Sequence, residues 1–147
     1  MDCNYSPTNN QINKRYEIFT IFIVDKTVVI VAKMTLQEIV RILGAEVIYE
    51  NQHLDKNIKH AFAADLMSDV LRLDTSEMIL ITGLANTQVI RTAEMSDISF
   101  ILFVRNKPIS AEMIKLAKEN YIALLRCKQS MFKACGDLYV AGLKPVY

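Results

Sequence analysis

Between residues 77 and 126 the chain alternates continuous apolar runs with stretches of helical period. The runs "MILIT", "ISFILFV" and "IALL" predict strands over 77–82, 98–104 and 122–126. The segments after them predict helices over 86–95, 110–119 and 129–141, because their apolar residues return every three or four positions. A strand that is apolar at every position is covered on both faces. Strands joined through single helices run parallel with right-handed crossovers, so the expected fold is α/β: a three-layer α/β/α sandwich around a small, mainly parallel sheet. Ser110 stands at an N-cap position after Pro108, and Asn120 ends a helix whose inward residues would be Met113, Ile114 and Ala117.

The earlier part of the chain is less uniform. Thr35 and Glu38 make a capping box before the apolar stripe Leu36, Ile39, Val40 and Leu43, and Gly44 supplies the stop. Beyond it, Glu46 to Tyr49 reads as a short strand, 51–57 as a polar turn and 58–64 as a second strand. A short helix follows near Asp65 to Leu71, with Asp65 as its N-cap. Residues 1–15 read as a flexible polar lead-in, and Phe19–Val24 with Thr27–Ala32 as β-branched strands that form a hairpin. Joining those two runs into a membrane span would place Asp25 and Lys26 at mid-bilayer, and the first alone is too short to cross. The expected organisation is an N-terminal extension, 1–33, and an α/β domain, 34–147. For the extension, two readings stand: a mis-assigned start, with the true one at Met34, or a strand pair that covers a sheet edge.

Composition narrows the chemistry. Seventeen Lys and Arg against sixteen Asp and Glu leave a net charge of +1, too little for a protein that owes its affinity to nucleic-acid phosphates. Four glycines and three prolines leave little room for linkers. Cys3, Cys127 and Cys135 form neither a disulfide framework nor a zinc spacing, so the reading is of buried or indifferent thiols in a reducing cytoplasm, with a reactive Cys127 as the alternative. His53 and His60 lack ligand-bearing neighbours, and no metal or cofactor is expected. Phosphate-loop, dinucleotide, nucleophile-elbow and zinc-protease signatures are absent.

Ligands of a parallel sheet gather beyond the carboxyl ends of its strands. Thr82, Gly83, Asn86, Thr87, Arg105 and Lys128 fall there, and their dipoles and cations suit an anionic small molecule. A tight turn at Gly83 and an N-cap at Asn86 are the competing structural roles. Asp65, Ser68, Asp69 and Asp74 cluster near the short helix, where acids of this kind bind Mg²⁺ or exchange protons; a solvated acidic face is the plainer reading. Asp65, Ser68 and Asp69 are kept among the ligand-binding candidates. Along the last helix, Met131, Phe132, Cys135, Leu138 and Tyr139 recur at helical spacing, with Ala134 and Ala141 as a small-residue face. Core packing and self-association are both open for that stripe.

From Met34 to Leu143 the chain resembles the DRTGG domain, a small prokaryotic module. The likeness is carried by "MTLQEIVRILGAEVI", "LDKNIKHAFAADLMSDVL", "ILITGLANTQVIRTAEM", "ILFVRNKP", "IKLAKENYIALL" and "MFKACGDLYVAGL". It departs where the family takes its name: Asp55 matches and Lys56 stands in for Arg, but Lys59, His60 and Ala61 occupy the Thr-Gly-Gly positions. The resemblance implies an α/β fold related to the N-terminal domains of HPr kinase/phosphorylase and of some Mur ligases. It also implies a regulatory or ligand-sensing attachment of the kind found beside CBS pairs or phosphotransacetylase domains.

The expectation is therefore a non-catalytic cytoplasmic regulatory module that binds a small anionic or nucleotide-like ligand at the strand ends. A homodimer is expected, through the last helix and open sheet edges, with a partner enzyme and without nucleic acid or membrane. The alternative is a protein-interaction subunit with no ligand of its own. A third reading makes the acids of 65–74 an enzyme's.

Overall fold

The computed structural model describes residues 20–24, 27–31, 34–50, 56–73 and 77–147. Cys3, His53, Asp55, Asp74 and the 1–15 lead-in lie outside the described residues. The chain divides into two units, 1–32 and 33–147, each taken by itself. In the first, β1 (Thr20–Val24) and β2 (Thr27–Val31) pair antiparallel from Thr20 with Val31 to Val24 with Thr27, the hairpin expected of the β-branched runs.

The second unit runs α1 (Leu36–Leu43), β3 (Glu46–Tyr49), β4 (His60–Ala63), α2 (Met67–Val70), β5 (Met78–Thr82), α3 (Thr87–Met95), β6 (Phe100–Phe103), α4 (Ala111–Glu119), β7 (Ala123–Arg126), α5 (Met131–Val140) and β8 (Lys144–Pro145). Its six strands lie in the order β3-β7-β6-β5-β4-β8. All pairs are parallel except β3 with β7. Every residue of β5 and β6 is buried, which is why their sequences carry no polar alternation.

Successive side chains of a strand point to opposite faces, so each central strand feeds two cores. Ile79, Ile81, Phe100, Leu102 and Leu125 pack with Leu36, Ile39 and Leu43 of α1 and Ala134 and Leu138 of α5. Met78, Leu80, Ile101, Phe103 and Leu124 pack with Met67 and Val70 of α2, Val89, Ile90 and Ala93 of α3, and Met113 and Ala117 of α4. The result is the expected three-layer sandwich. Helices α2, α3 and α4 make the crossovers on one face, while α5 lies on the other and returns the chain from β7 to the far edge beside β4.

Local signals explain most helix ends. Thr35 and Glu38 form the capping box, with the Thr35 N–H donating to Glu38 Oε2 at 2.8 Å, and Gly44 closes α1 with a left-handed φ of 57°. Asn86, Ser110 and Ser130 cap α3, α4 and α5 by accepting the N–H three residues on. Three expectations are corrected. Asp65 does not cap the short helix: α2 is a single turn whose N-cap position is Leu66, without a side-chain cap. Ile114 is only half-buried, beside the fully buried Met113 and Ala117. The α5 stripe is not one core face: Ala134 and Leu138 turn inward, while Phe132 is 91 % and Tyr139 67 % exposed. The helical period shows that α5 has apolar residues around most of its circumference, and the sheet has room for one side only.

Two substitutions of apolar residues should therefore differ sharply. Ile101→Ala empties a fully buried position in the central strand and should lower unfolding free energy by about 3–4 kcal/mol. Phe132→Ala should change it by about 0.5 kcal/mol or less. Urea denaturation followed by far-UV circular dichroism measures both.

Candidate functional site

The carboxyl ends of β4, β5, β6 and β7 open on one rim of the sheet, and there the chain builds a hydrogen-bonded cluster. β4 ends at Ala63, and the Ala64 N–H bonds to the Ile81 carbonyl, which carries Asp65 toward the end of β5. Asp65 Oδ1 accepts from the Gly83 N–H at 2.7 Å and from the Thr82 hydroxyl at 3.0 Å. The Thr82 hydroxyl in turn accepts the Leu84 N–H at 3.1 Å, so its lone pair and its proton are both assigned. Asp65 Oδ2 meets Arg105 Nη2 at 3.2 Å.

Arg105 reaches this point from an unusual backbone. It and Asn106 are both left-handed, with φ of 62° and 50°. Asparagine tolerates that region, but a non-glycine residue with a long side chain rarely adopts it. Two hydrogen bonds hold it: the Arg105 N–H donates to the Gln129 carbonyl and the Asn106 N–H to the Cys127 carbonyl, each at 2.8 Å. The loop after β6 is thus tied to the loop after β7, and the guanidinium lies over Gly83. A methyl at Gly83 would overlap that guanidinium. Gly83 lies in the bend between β5 and α3, and its lack of a side chain admits the close approach of Arg105.

Asp65 feels opposing influences. Desolvation pushes its carboxyl up, but the Gly83 N–H, the Thr82 hydroxyl and Arg105 together outweigh it and hold the group below its ordinary value of 3.8. Asp65 and Arg105 remain about half exposed at the side chain, 47 % and 48 %, so solvent and solutes reach both. Thr82 is fully buried.

The other candidates are placed as follows. Asn86 spends its side-chain oxygen on the α3 cap, at 3.2 Å from the Val89 N–H, and Thr87 begins that helix half-buried. Lys128 is exposed on the loop that holds Arg105 through Gln129. Ser68 and Asp69 are exposed on α2. Among the described residues no three His, Cys, Asp or Glu come together as a metal site. Cys127 is buried, and desolvation raises its thiol, which removes the case for a reactive nucleophile; Cys135 is raised in the same way, with Cys127 adding to the effect. The positions of the family's Thr-Gly-Gly span the entry to β4, with Lys59 just before the strand and ion-paired to Glu77, and His60 between Met78 and Lys144 in the sheet. They stand at the opposite end of the strand from Asp65.

Sequence reasoning named Asp65 and Arg105 among the same ligand-binding candidates but gave Asp65 the N-cap of the short helix and did not foresee that it pairs with Arg105. It missed the backbone support from Gln129, for which only the Arg-Asn dipeptide offered a turn signal. A second concavity, a groove of about 390 Å³, lies between α5 and strands β4 and β8. Phe62, Phe132, Gly136, Tyr139, Leu143 and Tyr147 line it, and none of the strand-end candidates does.

The six-stranded, mostly parallel sheet with helices on both faces and polar groups gathered at one rim defines an α/β domain. The DRTGG domain model matches residues 38–138, and the chain belongs to that family. Its fold is similar to that of the CBS and DRTGG domains of the regulatory region of Clostridium perfringens pyrophosphatase, solved with the activator diadenosine tetraphosphate. The TM-score is 0.63 at 20 % identity, over 76 % of this chain and 48 % of that one. This chain spans about half the length of that structure. No curated protein matches it.

Two measurements check the cluster. Gly83→Ala should fold with little loss, since the overlapping group is the mobile end of Arg105, yet a structure of the variant should show the guanidinium moved off Asp65. Asp65→Ala should cost about 1 kcal/mol at neutral pH, because the Gly83 N–H and the Thr82 hydroxyl lose their acceptor. The carboxyl is held below its ordinary value, so its contribution is in place above about pH 4 and fades as the pH falls through the lowered value. The difference between wild type and Asp65→Ala should stay level from about pH 7 to 5 and shrink below about pH 4.

Proposed function

We propose that the protein is a non-catalytic regulatory module that senses a small anionic or nucleotide-like ligand at the carboxyl ends of its parallel strands. The observation that carries this reading is the convergence of Thr82, Gly83 and a half-exposed Arg105 on one point of the rim, where three loops meet. Membership of the DRTGG family supports it, as does the regulatory region of the pyrophosphatase, whose solved form holds a dinucleotide activator. Arg105 and Lys128 supply the positive charge, and Asn86 and Thr87 open α3 after the carboxyl end of β5. Ser68 and Asp69, exposed on α2 just after Asp65, complete the candidate set. In this reading the chain works in the prokaryotic cytoplasm and passes the signal to a partner enzyme. Among the described residues no helix is long and apolar enough to cross a membrane.

A second reading, an interaction subunit, is favoured by the outer face of α5. Phe132, Tyr139 and Val140 are exposed there beside Tyr147 and the apolar groove. Exposed aromatic residues next to an apolar concavity are the makings of an isologous interface, in which Phe132 of each copy enters the groove of the other.

A thermal-shift panel of nucleotides and phosphorylated metabolites tests the ligand. At least one should raise the midpoint by a few degrees at millimolar concentration, and Arg105→Ala should abolish the rise. A flat panel would leave the interaction reading in its place. For the dimer, sedimentation equilibrium should give twice the chain mass for wild type and the single mass for Phe132→Glu; a wild-type monomer at about 100 μM removes the α5 interface.

A further inference from the structure

The strand-end cluster already holds an anion, and the chain supplies it. One backbone N–H, one hydroxyl and one guanidinium converge on the two oxygens of Asp65. That is a donor set by which proteins bind a phosphate or carboxylate oxygen pair, and here it is satisfied from within. We propose that the Asp65 carboxylate is an internal stand-in for the ligand's oxyanion, and that binding is an exchange in which a phosphate-type group takes the Arg105 guanidinium from Asp65. The inference rests on the strand-end reading above and adds both the chemical class of the ligand's anchoring group and the device that controls access to it.

Four features favour an exchange over a fixed structural ion pair. Asp65 and Arg105 are each about half exposed, so an incoming oxyanion reaches both partners, and an exposed pair of this kind is weak. The position of Arg105 does not depend on Asp65 alone, because the left-handed backbone and the bonds to the Gln129 and Cys127 carbonyls keep the loop in place when the carboxylate leaves. Gly83 leaves space for the guanidinium against the backbone, where a larger residue would have closed it. Asp65 itself belongs to no helix and caps none, so its departure breaks no element. A neutral ligand gains nothing from this arrangement, since it would displace a charged partner without replacing the charge. The site therefore selects ligands that carry an oxyanion, and it holds them less tightly than the same donors would without Asp65.

Pyrophosphate is the probe, titrated into the full chain by calorimetry at fixed ionic strength. Asp65→Asn keeps an acceptor for the Gly83 N–H and the Thr82 hydroxyl but removes the competing charge, and should bind pyrophosphate about tenfold more tightly than wild type. Asp65→Ala should move the affinity in the same direction, and Arg105→Ala should bind none. In the wild-type protein, saturation should also shift the Gly83 amide resonance in NMR spectra, as its acceptor changes. Equal or weaker binding by both Asp65 variants overturns the exchange; the strand-end reading survives that result if a panel ligand still stabilises wild type and fails with Arg105→Ala. No pyrophosphate binding by any variant, together with a flat panel, removes both.

Discussion

The two-sided burial of β5 and β6 is the constraint on which the rest of the structure depends. Nine consecutive-strand residues, Met78–Thr82 and Phe100–Phe103, are all buried, and alternate members of each strand belong to different cores. Such strands cannot sit at an edge or face water, so helices have to cover both sides, and the short connections available make them crossovers. Parallel alignment follows, and with it the gathering of the strand-to-helix loops at one end of the sheet and of the helix-to-strand loops at the other. The polar rim follows from the apolar strands: with the interior filled by Ile, Leu, Met and Phe, Asp65, Thr82 and Arg105 meet where the β4, β5 and β6 chains leave the sheet.

Within the rim, the balance of charge matters more than its amount. The net charge of +1 over the whole chain says little, and the cluster itself is close to neutral because Asp65 offsets Arg105. Its polarity comes instead from direction: donors on the β5 and β6 loops point at acceptors on the β4 loop. The Thr-Gly-Gly positions of the family's motif stand apart from the rim, since Lys59 precedes β4 and His60 and Ala61 open it, at the other end of the strand from Asp65. His60 and Ala61 pair regularly with β5 on one side and β8 on the other.

The parts of this fold that were legible in the sequence are those fixed by neighbours in the chain. Thr35 with Glu38, Gly44, Asn86 and Ser110 act over three or four residues, and each does in the structure what its spacing predicted. The three central strands were legible for a related reason, since unbroken apolar runs have few other uses. Asp65 was misread because its partners lie 17, 18 and 40 residues away, and a carboxylate before a helical turn looks like a cap whatever its distant contacts. Phe132 and Tyr139 were hard to place because a periodic apolar stripe reports amphipathicity and not which arc the sheet has room to cover. β8 was invisible for want of length: two residues, one of them proline, carry no alternation.

The margins of the sheet have a consequence of their own. On one side β3 is antiparallel and interrupted by a bulge between Val47 and Tyr49; on the other, β8 is two residues long and ends in Pro145, which has no amide proton to offer. Neither border is a good template for strand addition by another polypeptide. Assembly of this domain by backbone zippering is disfavoured on both flanks, so recognition of other macromolecules is left to side chains on the helical layers, where specificity can be tuned one residue at a time.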